Sequence, residues 1–298
     1  MPEPERTDDD IERALALFAD SRPRMFGIAY RMLGSVAEAE DIVQEAWLRW
    51  QQTDRSVVRN PGGFLTTMTT RLAINTAESA RMRREQYVGP WLPEPVDTSA
   101  DPLLGAERAE AIGVAVLVIL ESLPPRERAA YVLREAFAYD YGDIAEVLET
   151  TSANARQVVS RARRHLAAEQ ARPPEPVDPA RHRALLEAFL DAARAGDLAA
   201  LERVLAEDVV SVSDGAGMVR RAARHPVVGR SQVARFVAAF APVFWPDTTI
   251  TWLRTNGAPS VLVQQDGEAV AVLSLDVSGA GIERLMWVMV PDKLTRMS

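Results

Sequence analysis

Asp41, Gln44 and Glu45 stand at i, i+3 and i+4 in a stretch of helical periodicity, so two carboxylates and an amide share one helix face. Such a face can dock a basic protein surface; the alternative is a plain solvated face. A second constellation lies further on, where Asn154, Gln157, Arg161 and Arg164 gather on one side of a helix. Its opposite stripe is Ala155, Val158, Val159, Ala162 and Leu166, and the polar side is basic and carries no acid of its own. Amides and guanidinium groups so arranged suit base edges and phosphates. In the C-terminal part, Asp208, Asp214 and His225 are the candidates for a general base, and no partner is assignable to them from sequence. There is no cysteine and only three scattered histidines, which excludes disulfides and thiolate metal sites. No cofactor and no metal is expected.

The elements that must position these groups come in three segments. Two proline-rich breaks, Gly89 to Pro102 and Arg172 to Pro179, cannot be helix interior. They suggest a helical domain over 1–88, a linker over 89–105, a second helical domain over 106–171, a short linker over 172–179 and a mixed domain over 180–298. In the first, Ser21 and Pro23 read as a helix start, Gly34 as a stop, and Ser35 with Glu38 as a capping box opening a new helix. That helix carries the apolar stripe Ala39, Ile42, Val43, Ala46, Trp47 and Trp50. Asn60-Pro61-Gly62-Gly63 interrupts the pattern, which resumes from Phe64 to about Glu85.

The second helical domain reads as Ala106 to Ser122, a break at Pro124-Pro125, then Arg126 to Phe137, Asp143 to Leu148 and Ser152 to about Ala168. Two short helices across a three-residue turn suggest a helix-turn-helix. The last domain has amphipathic helices at Arg181 to Arg194, Leu198 to Leu205 and Gln232 to Phe244. Ser260 to Gln265 and Glu268 to Val277 flank Asp266-Gly267 as a hairpin, and Ile282 to Val290 is a further strand. Helices first and a curved antiparallel sheet after make an α+β domain.

Composition narrows the function classes. The 298 residues are 47% hydrophobic, enough for two or three cores, and the net charge is -8. An acidic chain is a poor stand-alone nucleic-acid binder, so any DNA contact must be local or assisted by a partner. Basic residues are nearly all arginine, and Lys293 is the single lysine. The longest apolar run, Ile112 to Leu120, is too short to span a bilayer, and the N-terminus is acidic at Asp8, Asp9 and Asp10. A cytoplasmic protein with no membrane partner is expected.

The stretch Ala39 to Trp47 resembles region 2.2 of bacterial sigma factors of the extracytoplasmic-function type, and the segment Phe64 to Glu85, with Arg71 to Ala77, resembles their minus-ten helix. Pro124 to Leu166 resembles region 4, the helix-turn-helix that reads the minus-thirty-five element. The resemblance implies core RNA polymerase as partner, through the β′ clamp helices and the β flap, and promoter DNA as the second partner. It places clamp contact on Asp41, Gln44 and Glu45. Minus-ten contact falls on the Arg55 to Phe64 loop and on Arg71, Asn75, Arg81, Arg83 and Arg84; for the last three a plain basic helix end is the alternative. Arginines hold phosphates, whereas Asn75 offers donor and acceptor to an exposed base. Ser152, Asn154, Arg156, Gln157 and Arg161 are placed in the major groove, with Arg163 and Arg164 on phosphate. Glu149 stands at a turn position where many relatives have glycine.

The segment from residue 180 is similar to SnoaL-like, NTF2-type cone domains, which a subgroup of these sigma factors carries with three signatures. Trp91-Leu92-Pro93-Glu94-Pro95 matches the linker signature in full. Asp214-Gly215-Ala216-Gly217-Met218 departs from Asp-Gly-Gly-Gly-Lys at two positions, and Val290-Pro291-Asp292-Lys293-Leu294 departs from Asn-Pro-Asp-Lys-Leu at one. The resemblance implies regulation in cis of a promoter-directing protein. It leads to the expectation that the linker docks on the extension near Asp214 and Lys293 with Trp91 as apolar anchor; the alternative packs Trp91 on its own helical domain. Cone domains also include enzymes, but the cavity is better suited to sensing a small-molecule ligand than to catalysis. The rival reading is a conventional helix-turn-helix regulator with a ligand-sensing domain, which leaves Asp41, Gln44 and Glu45 unexplained.

Overall fold

The computed structural model describes residues 8–99, 114–169 and 177–297. The helix expected from Ala106 lies outside the described residues before 114, as does most of the linker over 172–179. The chain divides into two compact units. The first joins residues up to Met82 with Ile119–Glu169; the second joins Arg83–Val118 with the chain from Gln170 onward.

In the first unit α1 (Asp8–Leu33) and α2 (Val36–Gln52) pack as an antiparallel pair, followed by a 3-10 turn (Arg55–Val57) and α3 (Pro61–Glu85). Gly34 ends α1 with φ +66°, and Ser35 caps α2 by accepting from the Glu38 amide at 3.3 Å. The stripe of α2 is buried at Ala39, Ile42, Val43, Ala46 and Trp50, while Trp47 is half-buried beside Phe18. Trp50 is fully buried, and its indole N–H donates to the Ala14 carbonyl at 3.1 Å.

Two boundaries differ from the sequence reading. Ser21 and Pro23 do not start a helix; α1 runs through Pro23. An internal proline loses one ladder bond, and buried Phe18, Met25 and Phe26 on either side hold the helix together. Pro61-Gly62-Gly63 is not a break but the first turn of α3, because proline suits the first helical position and Asn60 caps it by accepting from the Gly63 amide at 3.0 Å.

The same unit holds the end of α4 (Val114–Leu120), then α5 (Pro125–Glu135), α6 (Tyr141–Val147) and α7 (Ser152–Glu169). Asp140 caps α6 through the Gly142 and Asp143 amides, and Thr151 caps α7 through the Asn154 amide. The α7 stripe Ala155, Val158, Val159, Ala162 and Leu166 is buried. Arg128 of α5, itself buried, reaches the Met32 carbonyl at the end of α1 at 2.5 Å and pairs with Glu121 at 2.7 Å.

The second unit is an α+β cone. Helices α8 (Pro179–Ala195), α9 (Leu198–Val204) and α10 (Arg230–Phe244) cover one face of a six-stranded sheet. Its strands are β1 (Leu205–Asp214), β2 (Val227–Val228), β3 (Thr248–Thr255), β4 (Ala258–Gln265), β5 (Glu268–Ser278) and β6 (Gly281–Val288), in the order β2-β1-β6-β5-β4-β3. The Asp266-Gly267 turn has both residues at positive φ, as a tight two-residue hairpin requires. The sheet is not wholly antiparallel as expected: β1 runs parallel to β6, with Asp214 opposite Val288. The strands β3 to β6 follow one another as hairpins, and β1 joins the free edge of β6 only because the chain first enters the sheet there from α9.

Both faces of this sheet are covered. Leu92, Val114, Leu294 and Met297 pack on the side away from the helices, against Leu262, Val272, Met286 and Val288. Hence β4, β5 and β6 are buried almost continuously instead of on alternate residues. The tail that supplies Leu294 is a single turn, α11 (Pro291–Leu294).

Candidate functional site

On α2 the side chains of Asp41 and Gln44 are exposed, and Glu45 is partly exposed with its carboxylate bonded to Arg49 at 2.7 Å. The three therefore form one outward acidic-amide face, opposite the buried stripe. On α3, Asn75 is exposed. Arg71 instead bends toward the end of α6, donating to the carbonyls of Val147 and Glu146 at 3.0 and 2.8 Å. Arg81 and Arg83 are exposed near the end of the helix.

The helix-turn-helix presents Ser152, Asn154, Arg156, Gln157, Arg161, Arg163 and Arg164 as exposed residues of α7. Several are already oriented by neighbours. The Asn154 amide donates to the Thr150 hydroxyl at 2.8 Å, and the Arg156 guanidinium lies 4.8 Å from the Tyr141 ring centroid. Arg161 pairs with Glu127 at 3.0 Å and Arg163 with Glu135 at 2.7 Å. The face is thus free of acid within α7 but not in space, since α5 supplies two carboxylates. Glu149, in the turn, has φ +51°, the left-handed conformation that glycine adopts most readily.

In the second unit the three signatures converge on one buried carboxylate. Asp214, the last residue of β1, is fully buried. It accepts from the Tyr87 hydroxyl at 2.6 Å, the Leu92 amide at 2.9 Å and the Lys293 ammonium at 2.7 Å. Lys293 also donates to the Leu92 carbonyl at 2.5 Å, and its ammonium lies 4.4 Å from the Trp91 ring centroid. Arg84 stacks on the same indole at 3.7 Å. Burial pushes the Lys293 ammonium below its ordinary pKa, and Asp214 opposes that loss. The Tyr87 phenol is pushed up, first by burial and then by its bond to Asp214.

Trp91 is not the buried anchor that the sequence suggested. It is half-buried and offers its π-face to two cations, while Leu92, 1% exposed, is the side chain driven into the core. Asp214 and Lys293 both grip the Leu92 backbone, and its side chain lies in the apolar cluster with Leu262, Val272 and Met286 of the sheet. Pro93, Glu94 and Pro95 are buried, and Val96 and Thr98 pair with Asn256 and Arg254 at the β3 edge. Gly217, at φ +70°, is approached so closely by Val88 that a Cβ there would stand 2.6 Å from Val88 Cγ1. Gly215 is likewise hemmed in by Ala222, whereas Ala216 tolerates φ +50° and Met218 is exposed. Pro291 and Asp292 form the start of the turn that holds Lys293.

Tyr87 was missed from sequence, because a lone tyrosine just before a proline-rich stretch carries no spacing signal. Asn256 was also passed over; Asn256-Gly257 is a turn signature, but its grip on Val96 depends on where the linker runs.

The inside of the cone has a narrow cavity lined by Phe236, Phe240, Phe244, Trp245 and Trp287, with Ser213 and Arg221 as polar groups. Asp208 and His225 are exposed and do not line it, and Asp214 is engaged as described. Among the described residues no group of three or more His, Asp or Glu could hold a metal, and no helix is long and apolar enough to cross a membrane.

A helical body with an acidic-amide face and a helix-turn-helix, followed by a cone domain gripping its linker, defines a sigma-type protein with a C-terminal extension. Family models agree segment by segment: sigma-70 region 2 over residues 17–84, sigma-70 region 4 over 113–166 and a SnoaL-like domain over 186–290. The chain is 41% identical over 232 residues, 77% of its length and 73% of the relative's, to the ECF RNA polymerase sigma factor SigJ of Mycobacterium tuberculosis. It is 30% identical over 92% of both chains to the probable ECF RNA polymerase sigma factor SigI of the same species. The crystal structure of SigJ superposes with TM-score 0.75 at 33% identity, covering 94% of this chain and 98% of that one. The chain belongs to the extracytoplasmic-function RNA polymerase sigma factor family.

Proposed function

We propose that this sigma factor binds core polymerase through the α2 face of Asp41, Gln44 and Glu45. It then recognises the minus-ten element with α3 and its preceding loop, and the minus-thirty-five element with α7. The reading rests on the disposition of the α2 face: three polar side chains at contact spacing, outward, on a helix whose other side is core. Charge logic supports it. The net charge of -8 disfavours DNA binding by the free chain, so an acidic docking face that recruits a basic surface of the polymerase makes modest DNA contacts productive.

We further propose that the cone domain acts in cis, by fixing the linker between the promoter-binding segments. The observation that carries this is the Asp214 carboxylate, which ties Tyr87, the Leu92 backbone and Lys293 together across some 200 residues of sequence. Run-off transcription with purified core polymerase tests both parts. The full chain initiates at a cognate promoter without another sigma factor, and truncations at Arg172 and after Pro291 change activity to different extents. Failure to bind core polymerase overturns the first part; equal activity of all three chains overturns the second.

A small-molecule ligand for the cone is supported by one observation. Arg221 lines a mostly apolar, aromatic-rich cavity and, among the described residues, makes a 3.5 Å contact to Gln265, which suits a small aromatic carboxylate. The free space is about 40 Å³, so binding must displace an aromatic side chain. Saturable thermal stabilisation by benzoate or salicylate, lost in Arg221→Met, is the expected result; no stabilisation by either removes the ligand.

A further inference from the structure

A second cavity opens where β1 ends, beside the aromatic interior of the cone. Its volume is about 210 Å³, and Ser213, Arg220 and Arg224 line it together with Val88 and Gly89 of the linker. None of its lining residues is acidic. Asp214, next to Ser213 in the chain, does not line it and is held by Lys293, the Tyr87 hydroxyl and the Leu92 amide. The cavity therefore meets positive charge with no carboxylate of its own.

Two independent features mark this space as suited to an anion. Arg220 and Arg224 are exposed, and neither guanidinium has a hydrogen-bond or ion-pair partner among the described residues. Other arginines of the same unit do pair, Arg183 with Glu187 at 3.0 Å and Arg230 with Glu207 at 3.2 Å. The second feature is Ser213, which is 4% exposed. Its hydroxyl opens on the cavity without a partner among the described residues, although a buried hydroxyl ordinarily finds one.

We infer that this cavity binds a phosphoryl group, as free phosphate or as the head of a small phosphate monoester, between Arg220 and Arg224, with the Ser213 hydroxyl donating to a further oxygen. The choice of anion follows from the donors. A carboxylate has two oxygens and satisfies one guanidinium fork, whereas a phosphoryl dianion offers three oxygens to two forks and a hydroxyl. The apolar part of the wall, Val88, Val219, Ala222 and Ala223, suits the short carbon chain of an ester. An occupant touches linker and extension at once, since Val88 and Gly89 stand just before the Trp91 signature. The site stands on this geometry and does not depend on the polymerase, promoter or aromatic-carboxylate readings above.

Equilibrium titration of the full chain at constant ionic strength, with inorganic phosphate, glycerol 3-phosphate and glycerol as probes, tests the site. Both phosphate probes should bind saturably, and glycerol should not bind. Arg220→Gln and Arg224→Gln should each weaken binding about tenfold, the loss of one charge-assisted fork, and Ser213→Ala about three- to tenfold. Arg203→Gln with Arg235→Gln removes as much charge from exposed positions outside the cavity and should change the affinity less than about twofold. Tighter binding of glycerol 3-phosphate than of phosphate supports an ester whose carbon chain uses the apolar wall; equal or weaker binding supports phosphate itself as the occupant. No saturable binding of either phosphate probe up to about 10 mM overturns the site. Binding that survives Arg220→Gln with Arg224→Gln unchanged, or that the control pair weakens as much, overturns it equally, as does glycerol binding as tightly as its phosphate.

Discussion

Replacing Lys293 by methionine isolates the energetics of the linker grip. The ammonium and the Asp214 carboxylate are 2.7 Å apart, with side chains 14% and 0% exposed. At an effective dielectric of about 20 their attraction is about 6 kcal/mol, and desolvation of both groups offsets much of it. The same burial holds the Lys293 ammonium below its ordinary pKa, with Asp214 opposing. Lys293→Met keeps the length of the side chain and leaves a fully buried carboxylate with only the Tyr87 hydroxyl and the Leu92 amide. Such a loss costs about 3 kcal/mol, or a fall of roughly 6–12 °C in the Tm of a body this size. Asp214→Asn combined with Lys293→Met removes both charges and keeps an acceptor, so it should lie within about 1.5 kcal/mol of the original chain and thus be at least about 1.5 kcal/mol more stable than Lys293→Met alone. Differential scanning calorimetry of the three variants and the parent reads this cycle. A single variant that unfolds within 1 °C of the parent, or a double variant no more stable than the sum of its singles, would refute the account of Asp214 as an ion-paired hub.

Further outcomes follow from the other sites. Asp41→Lys with Glu45→Lys should weaken core polymerase binding at least tenfold in a pull-down titration while leaving Tm within about 2 °C, since neither side chain enters the core. Gln157→Ala should weaken binding of the holoenzyme to its cognate promoter about 5- to 150-fold and relax preference at one base pair, whereas Arg164→Ala should weaken all sequences alike. His182 is half-buried and burial alone holds its imidazole below the ordinary pKa. The unfolded chain therefore takes up a proton first as pH falls through about 6.5, and stability of the second unit is lost below that value. Calorimetry from pH 7.5 to 5 should show the loss, and His182→Gln should flatten it.

The helical segments were readable because each carries its own instructions. Ser35 and Glu38 cap α2, the α7 stripe repeats at helical spacing, and Asp266-Gly267 fixes a hairpin. Where the reading failed, a local signal was overruled. Pro23 looks like a start, but packing of Phe18, Met25 and Phe26 carries α1 through it. Pro61-Gly62-Gly63 looks like a break, yet a capped first turn uses those residues well.

The sequence by itself determined the periodic elements, the outward face of Asp41, Gln44 and Glu45, the exposed row on α7 and the three signatures around Trp91, Asp214 and Lys293, because these depend on spacing along one element. Only the tertiary structure decided which partners those groups take. It made Leu92 instead of Trp91 the buried anchor, brought Tyr87 to Asp214, laid β1 parallel to β6 and turned Arg71 onto Glu149. Pairings between residues dozens to hundreds of positions apart are set by burial and by the need to satisfy buried charge, and neither leaves a period in the chain.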